Sequence, residues 1–351
     1  DYSFLRDANY FVTSAETGQG ISELRHYLAN LPELADTQKP FRYAIDRVFS
    51  VKGAGTVVTG TAFSGTVKVN DEIYLSTGQK VRVKAIHAQN TSSEQGIAGQ
   101  RLALNLNADL DRTPMKRGDW LLQYEPLSPT DRISVQILAE VPLNESQPVH
   151  IYHGASRTTA KLTLLQGKNA AKNDRTLAEI ILDSPLFLAF GDKLILRSSD
   201  TKTLIAGARV LEINSPKRHK RTEVRLNFLA NLALAENASQ RIALTLQHNA
   251  TTARQLMWTE QLTSLQLDKA LAERDAVRYQ DWCFNTNYVQ EKTQQILTAL
   301  NTYHEQHNDQ LGVSKARLYR MAALNQPENL INHFIDEMLE EGRLQQTRGW
   351  L

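Results

Sequence analysis

The stretch from Phe41 to Gly60, FRYAIDRVFSVKGAGTVVTG, constrains the fold more than any other part of the chain. Two apolar, β-branched runs, Val48–Val51 and Thr56–Thr59, flank Lys52-Gly53-Ala54-Gly55. Glycines permit a tight turn with positive φ, so the segment predicts a β-hairpin. Gly60 and Gly65 read as bends at a barrel corner. An Asp46-Arg47 pair sits inside the first strand, between Ile45 and Val48. Strict alternation would send only one of two neighbours inward. The pair is therefore either a surface ion pair or part of a charged pocket beside apolar surface. Arg101, at the start of the apolar run Leu102-Ala103-Leu104, is the second candidate cation for such a pocket.

Short, partly alternating runs fill residues 41–126, among them VVTGTAFSG, TVKV, DEIYL and KVRVKAIHA, with Gly, Asn and Asp turns between them. Residues 127–213 continue in the same style with ISVQILAEV, VHIYHG, TAKLTLL, LAEIILD, DKLILRSS and IAGARVLEI. This spacing predicts two successive barrels. At 214–222, NSPKRHKRT, a basic, proline-containing linker ends the alternation. Helical spacing follows: Leu226, Leu229, Leu232 and Leu234 open a helix, and Ile242, Leu244 and Leu246 mark a second apolar segment. Two units of similar layout then end in RDAVRYQDWCF (Arg274–Phe284) and EGRLQQTRGWL (Glu341–Leu351). Each closes a polar hairpin on a Trp, Trp282 or Trp350, which core packing accounts for. Helices followed by such a hairpin predict tandem winged helices at 223–286 and 287–351.

Ahead of the barrels, Tyr10-Phe11-Val12, the loop Thr13–Gly20 and the helically spaced Ile21, Leu24, Leu28 and Leu31 predict strand, loop and helix. The helix core is expected over Ser22–Asn30, ended by Pro32, with a linker at 35–40. Thr13-Ser14-Ala15 before Glu16–Gly20 has the form of the last guanine-binding loop of P-loop GTPases, where a small residue lets the backbone approach the base. A generic strand–turn–helix is the alternative. No G-x-x-x-x-G-K-[ST] phosphate loop and no Asn-Lys-x-Asp tetrapeptide occurs in the 351 residues. Gly53-Ala54-Gly55-Thr56 lacks the lysine that holds phosphate. The chain alone is therefore expected to carry no catalytic residue and to bind neither GTP nor Mg.

The net charge of +2 supplies no global field, so local clusters must carry any nucleic-acid argument. Lys217, Arg218, Lys220 and Arg221 form such a cluster and are candidate RNA contacts, against the alternative of a solvated linker. Lys315, Arg317 and Arg320 can share a helix face or simply face solvent, and the helix Glu328–Glu341 is too acidic for RNA. Cys283 is the only cysteine, which excludes an internal disulfide and a cysteine-cluster metal site. His150 and His153, three residues apart without a carboxylate or thiol beside them, make a poor metal site. His87 is either a pocket hydrogen-bonder or an ordinary strand histidine. No run of about 18 apolar residues predicts a membrane span, and the first residues have no signal-peptide pattern.

The order GxGTVVTG with Gly65, Val67, Val69 and Asp71 after it resembles the second domain of tRNA-delivering elongation factors. The phrases AIDRVFSVKGAGTVVTGTAFSG, HAQN, GQRLALN and GDWLL (Gly118–Leu122) resemble the selenocysteine-specific elongation factors, the SelB family. Tyr152–Ala155, Leu196-Arg197, Leu204–Val210, YHEQH (Tyr303–His307) and the closing GWL extend that resemblance over essentially the whole chain. It implies a multidomain fold: a short α/β G-domain remnant at 1–35, barrel domain 2 at 41–126, barrel domain 3 at 127–213, and tandem α+β winged helices. It implies delivery of selenocysteyl-tRNA to the ribosome at UGA codons, with GTP and Mg as cofactors of the full-length family. Asp46, Arg47 and Arg101 stand at the positions that line the family's aminoacyl pocket, and Ser14 and Ala15 at its guanine loop. A selenol is more acidic than a thiol, so selenocysteine is an anion at neutral pH while serine is neutral. Guanidinium groups favour the anion and are left unpaired by serine.

The resemblance further implies a cytoplasmic, monomeric protein with no membrane partner. It also implies a piece of a longer factor, without most of the G domain and without the distal winged helices that reach the mRNA selenocysteine-insertion hairpin. Two other readings stand beside it. A general RNA- or DNA-binding protein would show basic bias in each second winged-helix segment, where the first unit has only Arg254. Another translational GTPase would lack the winged-helix tail at 223–351.

Overall fold

The structure, a computed structural model, describes residues 8–32, 36–52, 55–247, 249–323 and 325–351. Gly53 and Ala54 of the hairpin turn lie outside the described residues, as do 1–7 and 33–35 of the N-terminal segment. The chain divides into two compact units, Asp1–Ala230 and Asn231–Leu351.

In the first unit, α1 (Ile21–Ala29) follows a closed loop and buries no residue. Tyr10-Phe11-Val12, expected as a strand, forms none, and Tyr10 and Val12 are 79% and 81% exposed. A strand exists through the ladder that pairs its backbone, and none of the described strands pairs with these residues.

The hairpin is present as β1 (Arg42–Val51) and β2 (Gly55–Ser64), antiparallel from Arg42↔Ser64 to Val51↔Gly55. Then come β3 (Thr66–Lys68), β4 (Glu72–Leu75), β5 (Lys80–Ala88), β6 (Thr91–Ser93), β7 (Gln95–Ile97), β8 (Arg101–Leu106) and β9 (Trp120–Leu122). The sheet order is β4-β9-β1-β2-β8-β5-β6, and a further β4–β5 pairing closes it on itself. Alternate residues of these strands meet inside: Tyr43 and Ile45, Val58 and Ala62, Leu102, Leu104 and Leu106 are buried. Gly65 turns the chain out of β2 at φ 73°, where a Cβ would stand 2.5 Å from the Phe41 nitrogen. Only glycine fits there.

The second barrel contains β10 (Thr130–Ala139), β11 (Leu143–Asn144), β12 (Ser146–His153), β13 (Ser156–Leu164), β14 (Asn169–Ala170), β15 (Arg175–Leu186), β16 (Lys193–Arg197) and β17 (Leu204–Ile213). It is closed in the order β10-β15-β13-β12-β16-β17. Closure removes the sheet edges that would otherwise template aggregation. The two barrels meet at a buried ion pair. The Arg42 guanidinium of β1 donates to both oxygens of Asp192, just ahead of β16, at 2.9 and 2.8 Å. Both side chains are under 10% exposed. The guanidinium lies over Trp120 at 4.9 Å, and the buried His153 ring stacks on Trp120 at 5.2 Å.

Helix α2 (Glu223–Leu234) carries the division between the units. In the second unit α3 (Ala238–Leu246), β18 (Thr251–Thr252), α4 (Ala253–Glu260), α5 (Ser264–Ala272), β19 (Ala276–Tyr279) and β20 (Trp282–Asn285) follow, with sheet order β18-β20-β19. The polar run after α5 is thus a β-wing. Next are α6 (Thr286–Gln306), α7 (Lys315–Ala322) and α8 (Glu328–Glu340). Asn237, Thr252, Asn285 and Ser314 each cap a helix start, and Thr263 with Gln266 forms a capping box.

The closing hairpin is shorter than expected, a single Thr347–Trp350 bridge. Trp350, expected in the core, is 43% exposed, and Leu351 is buried in its place. A tight turn through Gly349 (φ 87°) leaves the Trp on the outside, while Leu351 exchanges both backbone hydrogen bonds with Val313. Trp282 does pack against the core built on α6 and α8.

Candidate functional site

The Asp46-Arg47 pair escapes alternation because of a β-bulge. Ile45 opposes Gly60 and Arg47 opposes Thr59, so Asp46 is an extra residue with no partner across the ladder. A bulge re-aims the side chains around it, and here it brings Asp46 to the sheet face that carries Thr59 and Arg101. Gly60 makes the bulge possible. A Cβ on it would stand 2.0 Å from the Ala44 carbonyl oxygen and 3.0 Å from the Tyr43 ring. The one proton of the Tyr43 hydroxyl, beneath the sheet, is shared between the carbonyls of Leu102 at 2.9 Å and Val58 at 3.3 Å, each next to a site residue.

Across strands, Thr59 pairs with Ala103 and Thr61 with Arg101, so Thr59 and Arg101 share one outward face. Arg101 meets Asp46 with both guanidinium arms: Nη1 to Oδ2 in a short contact, Nη2 to Oδ1 at 3.2 Å. Thr59 Oγ1 donates to Asp46 Oδ1 at 2.8 Å. The Arg47 side chain is exposed and makes no hydrogen bond or ion pair among the described residues, although its charge acts on Asp46. Burial works against ionisation of Asp46. The hydrogen bonds from Arg101 and Thr59 and the charges of Arg101 and Arg47 outweigh it and hold the carboxyl below its ordinary range. The Asp46 hydrogen bond in turn raises Arg101, against a smaller opposing effect of burial. The site is therefore a neutralised carboxylate–guanidinium pair with one further, unneutralised cation beside it.

Other candidates fall elsewhere. Ser14 and Ala15 lie in the loop before α1, where Ser14 accepts Gly18 N–H and Thr17 N–H at 2.9 and 3.2 Å. With no phosphate-loop lysine in the sequence, the chain's own residues do not fit GTP with Mg. His87 is exposed on β5, opposite Ala103, and touches none of Asp46, Arg47 and Arg101 among the described residues. His153 is a buried barrel–barrel residue, and His150 Nε2 lies 3.1 Å from the Ser199 carbonyl. The basic run divides in two. Lys220 bonds the buried Glu179 at 2.6 Å, and Arg221 bonds Glu145 at 2.7 Å in an exposed pair and the Leu164 carbonyl at 2.8 Å, so both are engaged within the protein. Lys217 and Arg218 remain exposed. On α7, Lys315 pairs with Asp336 and Arg317 lies over Tyr303, which leaves Arg320 exposed.

A second cationic surface was not singled out from sequence. Outward positions of the second barrel carry Arg157 opposite Tyr152, itself opposite Ile195, and Lys193 opposite Arg209. Beside it, a cleft of about 840 Å³ between the barrels is lined by Lys116, Arg117, Tyr152 and Arg157. The signal was present as basic residues at alternate positions of SRTTAK and DKLILR, which reads as ordinary outward polarity until the strands are placed side by side.

Comparison with known proteins gives the following. Residues 130–217 match the beta-barrel domain of selenocysteine-specific elongation factor, 297–351 the winged helix of elongation factor SelB, and 55–122 elongation factor Tu domain 2. The chain is 96% identical over 351 residues to the selenocysteine-specific elongation factor of Haemophilus influenzae, covering 57% of that protein. It is 39% identical to that of Escherichia coli, again over all of this chain and 56% of the relative. The chain thus spans somewhat more than half the length of the curated relatives it matches. A crystal structure of a bacterial selenocysteine-specific elongation factor, EF-Sec, shares the fold over 99% of this chain and 57% of its own, with a TM-score of 0.74 at 22% identity.

Proposed function

We propose that this chain, which belongs through its barrel and winged-helix domains to the selenocysteine-specific elongation factor family, supplies the aminoacyl pocket and tRNA-facing surface of a factor delivering selenocysteyl-tRNA to the ribosome at UGA codons. The observation that carries the reading is the bulged Asp46 with Arg101 locked to it and Arg47 left unpaired on the same strand. An anionic selenolate can meet the cation that Asp46 has not neutralised. A serine hydroxyl cannot offset its charge, so the seryl form gains less from the same pocket. Arg101 has a 57% exposed side chain, so screening by water limits what each cation contributes. Discrimination of about tenfold per arginine is the scale to expect.

In this reading the cleft between the barrels and the outward basic strands of the second barrel meet the tRNA backbone, and the exposed Lys217 and Arg218 add to the basic surface. GTP-dependent gating, the ribosome and the mRNA hairpin belong to the whole factor in the cytoplasm, and the chain's own residues supply none of the nucleotide chemistry. The test is binding of selenocysteyl-tRNA and seryl-tRNA to Arg47→Ala and Arg101→Ala. Each should weaken the selenocysteyl complex more than the seryl one. Equal losses for both would remove the pocket assignment.

A further inference from the structure

Asp46 carries no ladder partner, and it is 24% exposed on its side chain, so nothing in the sheet itself fixes its carboxylate. Three groups do. Arg101 takes both oxygens, and Thr59 Oγ1 adds a hydrogen bond to Oδ1, the oxygen that also receives Arg101 Nη2. Arg101 is more than half exposed and has rotamer freedom of its own, so an exposed pair of this kind is weak unless its geometry is imposed. Thr59 can impose it. It is β-branched, which restricts χ1, and it sits on β2 directly opposite Arg47 and directly opposite Ala103. Its own position is fixed by the Tyr43 hydroxyl, which holds the neighbouring Val58 carbonyl, and by Gly60, where Ala44 and Tyr43 leave no room for a side chain.

We propose that Thr59 is a positioning residue for anion selectivity: by holding Asp46 it commits Asp46 to Arg101 and thereby keeps Arg47 free for the incoming anion. The proposal rests on the aminoacyl-pocket reading above. Without the Thr59 hydroxyl, Asp46 can turn about its side-chain bonds and pair with Arg47, the adjacent residue. The pocket would then present a neutralised cation at the place where a selenolate must be met. Thr59 touches no ligand in this scheme; it acts through Asp46.

The experiment compares Thr59→Val, which keeps the branched shape, and Thr59→Ser, which keeps the hydroxyl, with Arg47→Ala as reference. Dissociation constants for selenocysteyl-tRNA and seryl-tRNA are measured on the full chain, with thermal melting as the control for folding. Loss of a hydrogen bond to a charged group predicts that Thr59→Val lowers the selenocysteyl-to-seryl affinity ratio by about tenfold. Thr59→Ser should restore the ratio to within about twofold of the parent. A purely structural role would weaken both tRNAs together and leave the ratio unchanged. An unchanged ratio in Thr59→Val alongside a lowered ratio in Arg47→Ala overturns the role of Thr59 alone. An unchanged ratio in Arg47→Ala overturns the pocket reading on which it rests.

Discussion

The buried joint between the barrels makes a quantitative pH prediction. His153 is 2% exposed, stacked on Trp120 and edge-on to Phe63, and among the described residues neither ring nitrogen has a hydrogen-bond partner. Its Nε2 lies 3.4 Å from Asp192 Oδ2, within ion-pair range but out of line for a hydrogen bond. Burial pushes the imidazole down from 6.5 to about 4, Asp192 opposing and the Arg42 charge assisting. The folded state therefore keeps the ring neutral between those values while the unfolded chain binds a proton. Stability from this group is complete above pH 6.5 and is lost as pH falls toward about 4. At about 1.36 kcal/mol for each pH unit, the full interval amounts to about 3 kcal/mol. Asp192 does not blur the window. Burial raises its carboxyl, but the Arg42 charge and hydrogen bonds outweigh that and hold it below 3.8, so its contribution disappears only at more acid pH.

His153→Phe keeps a ring against Trp120 and removes the titration. The assay is urea denaturation between pH 7 and pH 4.5, followed by hydrogen exchange of peptides from β1 and β12, for parent and variant. Carboxylates common to both cancel in the difference. The parent should lose about 2–3 kcal/mol more than the variant over that interval. Parallel pH dependence in the two proteins would refute the reasoning.

Three further outcomes follow from the geometry. Gly60→Ala forces a methyl to 2.0 Å from the Ala44 carbonyl and should destabilise the first barrel by more than about 2 kcal/mol, seen as a lowered melting transition. Lys217→Ala with Arg218→Ala should reduce the slope of log affinity for tRNA against log salt by about 1 to 2. Lys220→Met should leave that slope unchanged and instead cost about 1–2 kcal/mol of stability at the buried Glu179.

Much of this architecture was legible from local chemistry. The glycine-flanked hairpin and the shift from alternation to helical spacing near residue 214 are short-range features that a sequence displays directly. What was hidden depends on partners far apart in the chain. Arg42 and Asp192 are 150 residues apart, and nothing local marks either as buried. Lys220 looks like a solvent-facing charge until the buried Glu179 arrives from a strand 41 residues earlier. The site divides in the same way. Asp46, Arg47 and Arg101 could be named from their setting, but period-two reasoning cannot place two neighbours on one face. The bulge that does so depends on Gly60, Ala44 and Tyr43 meeting in space. Trp350 shows the opposite error: a large aromatic invited a core assignment, and a one-bridge turn left it outside.

The proposed aminoacyl pocket selects charge rather than shape, and a cysteinyl side chain on the same tRNA tests this most directly. Sulfur and selenium are similar in size, but a free thiol ionises near pH 8.5. Binding of the cysteinyl and selenocysteyl forms to the full chain should differ by about tenfold at pH 7, and the gap should close by about pH 9.5 as the thiolate forms. In Arg47→Ala the gap at pH 7 should already be small. A gap that stays constant with pH would contradict anion selection by the Asp46–Arg47–Arg101 group.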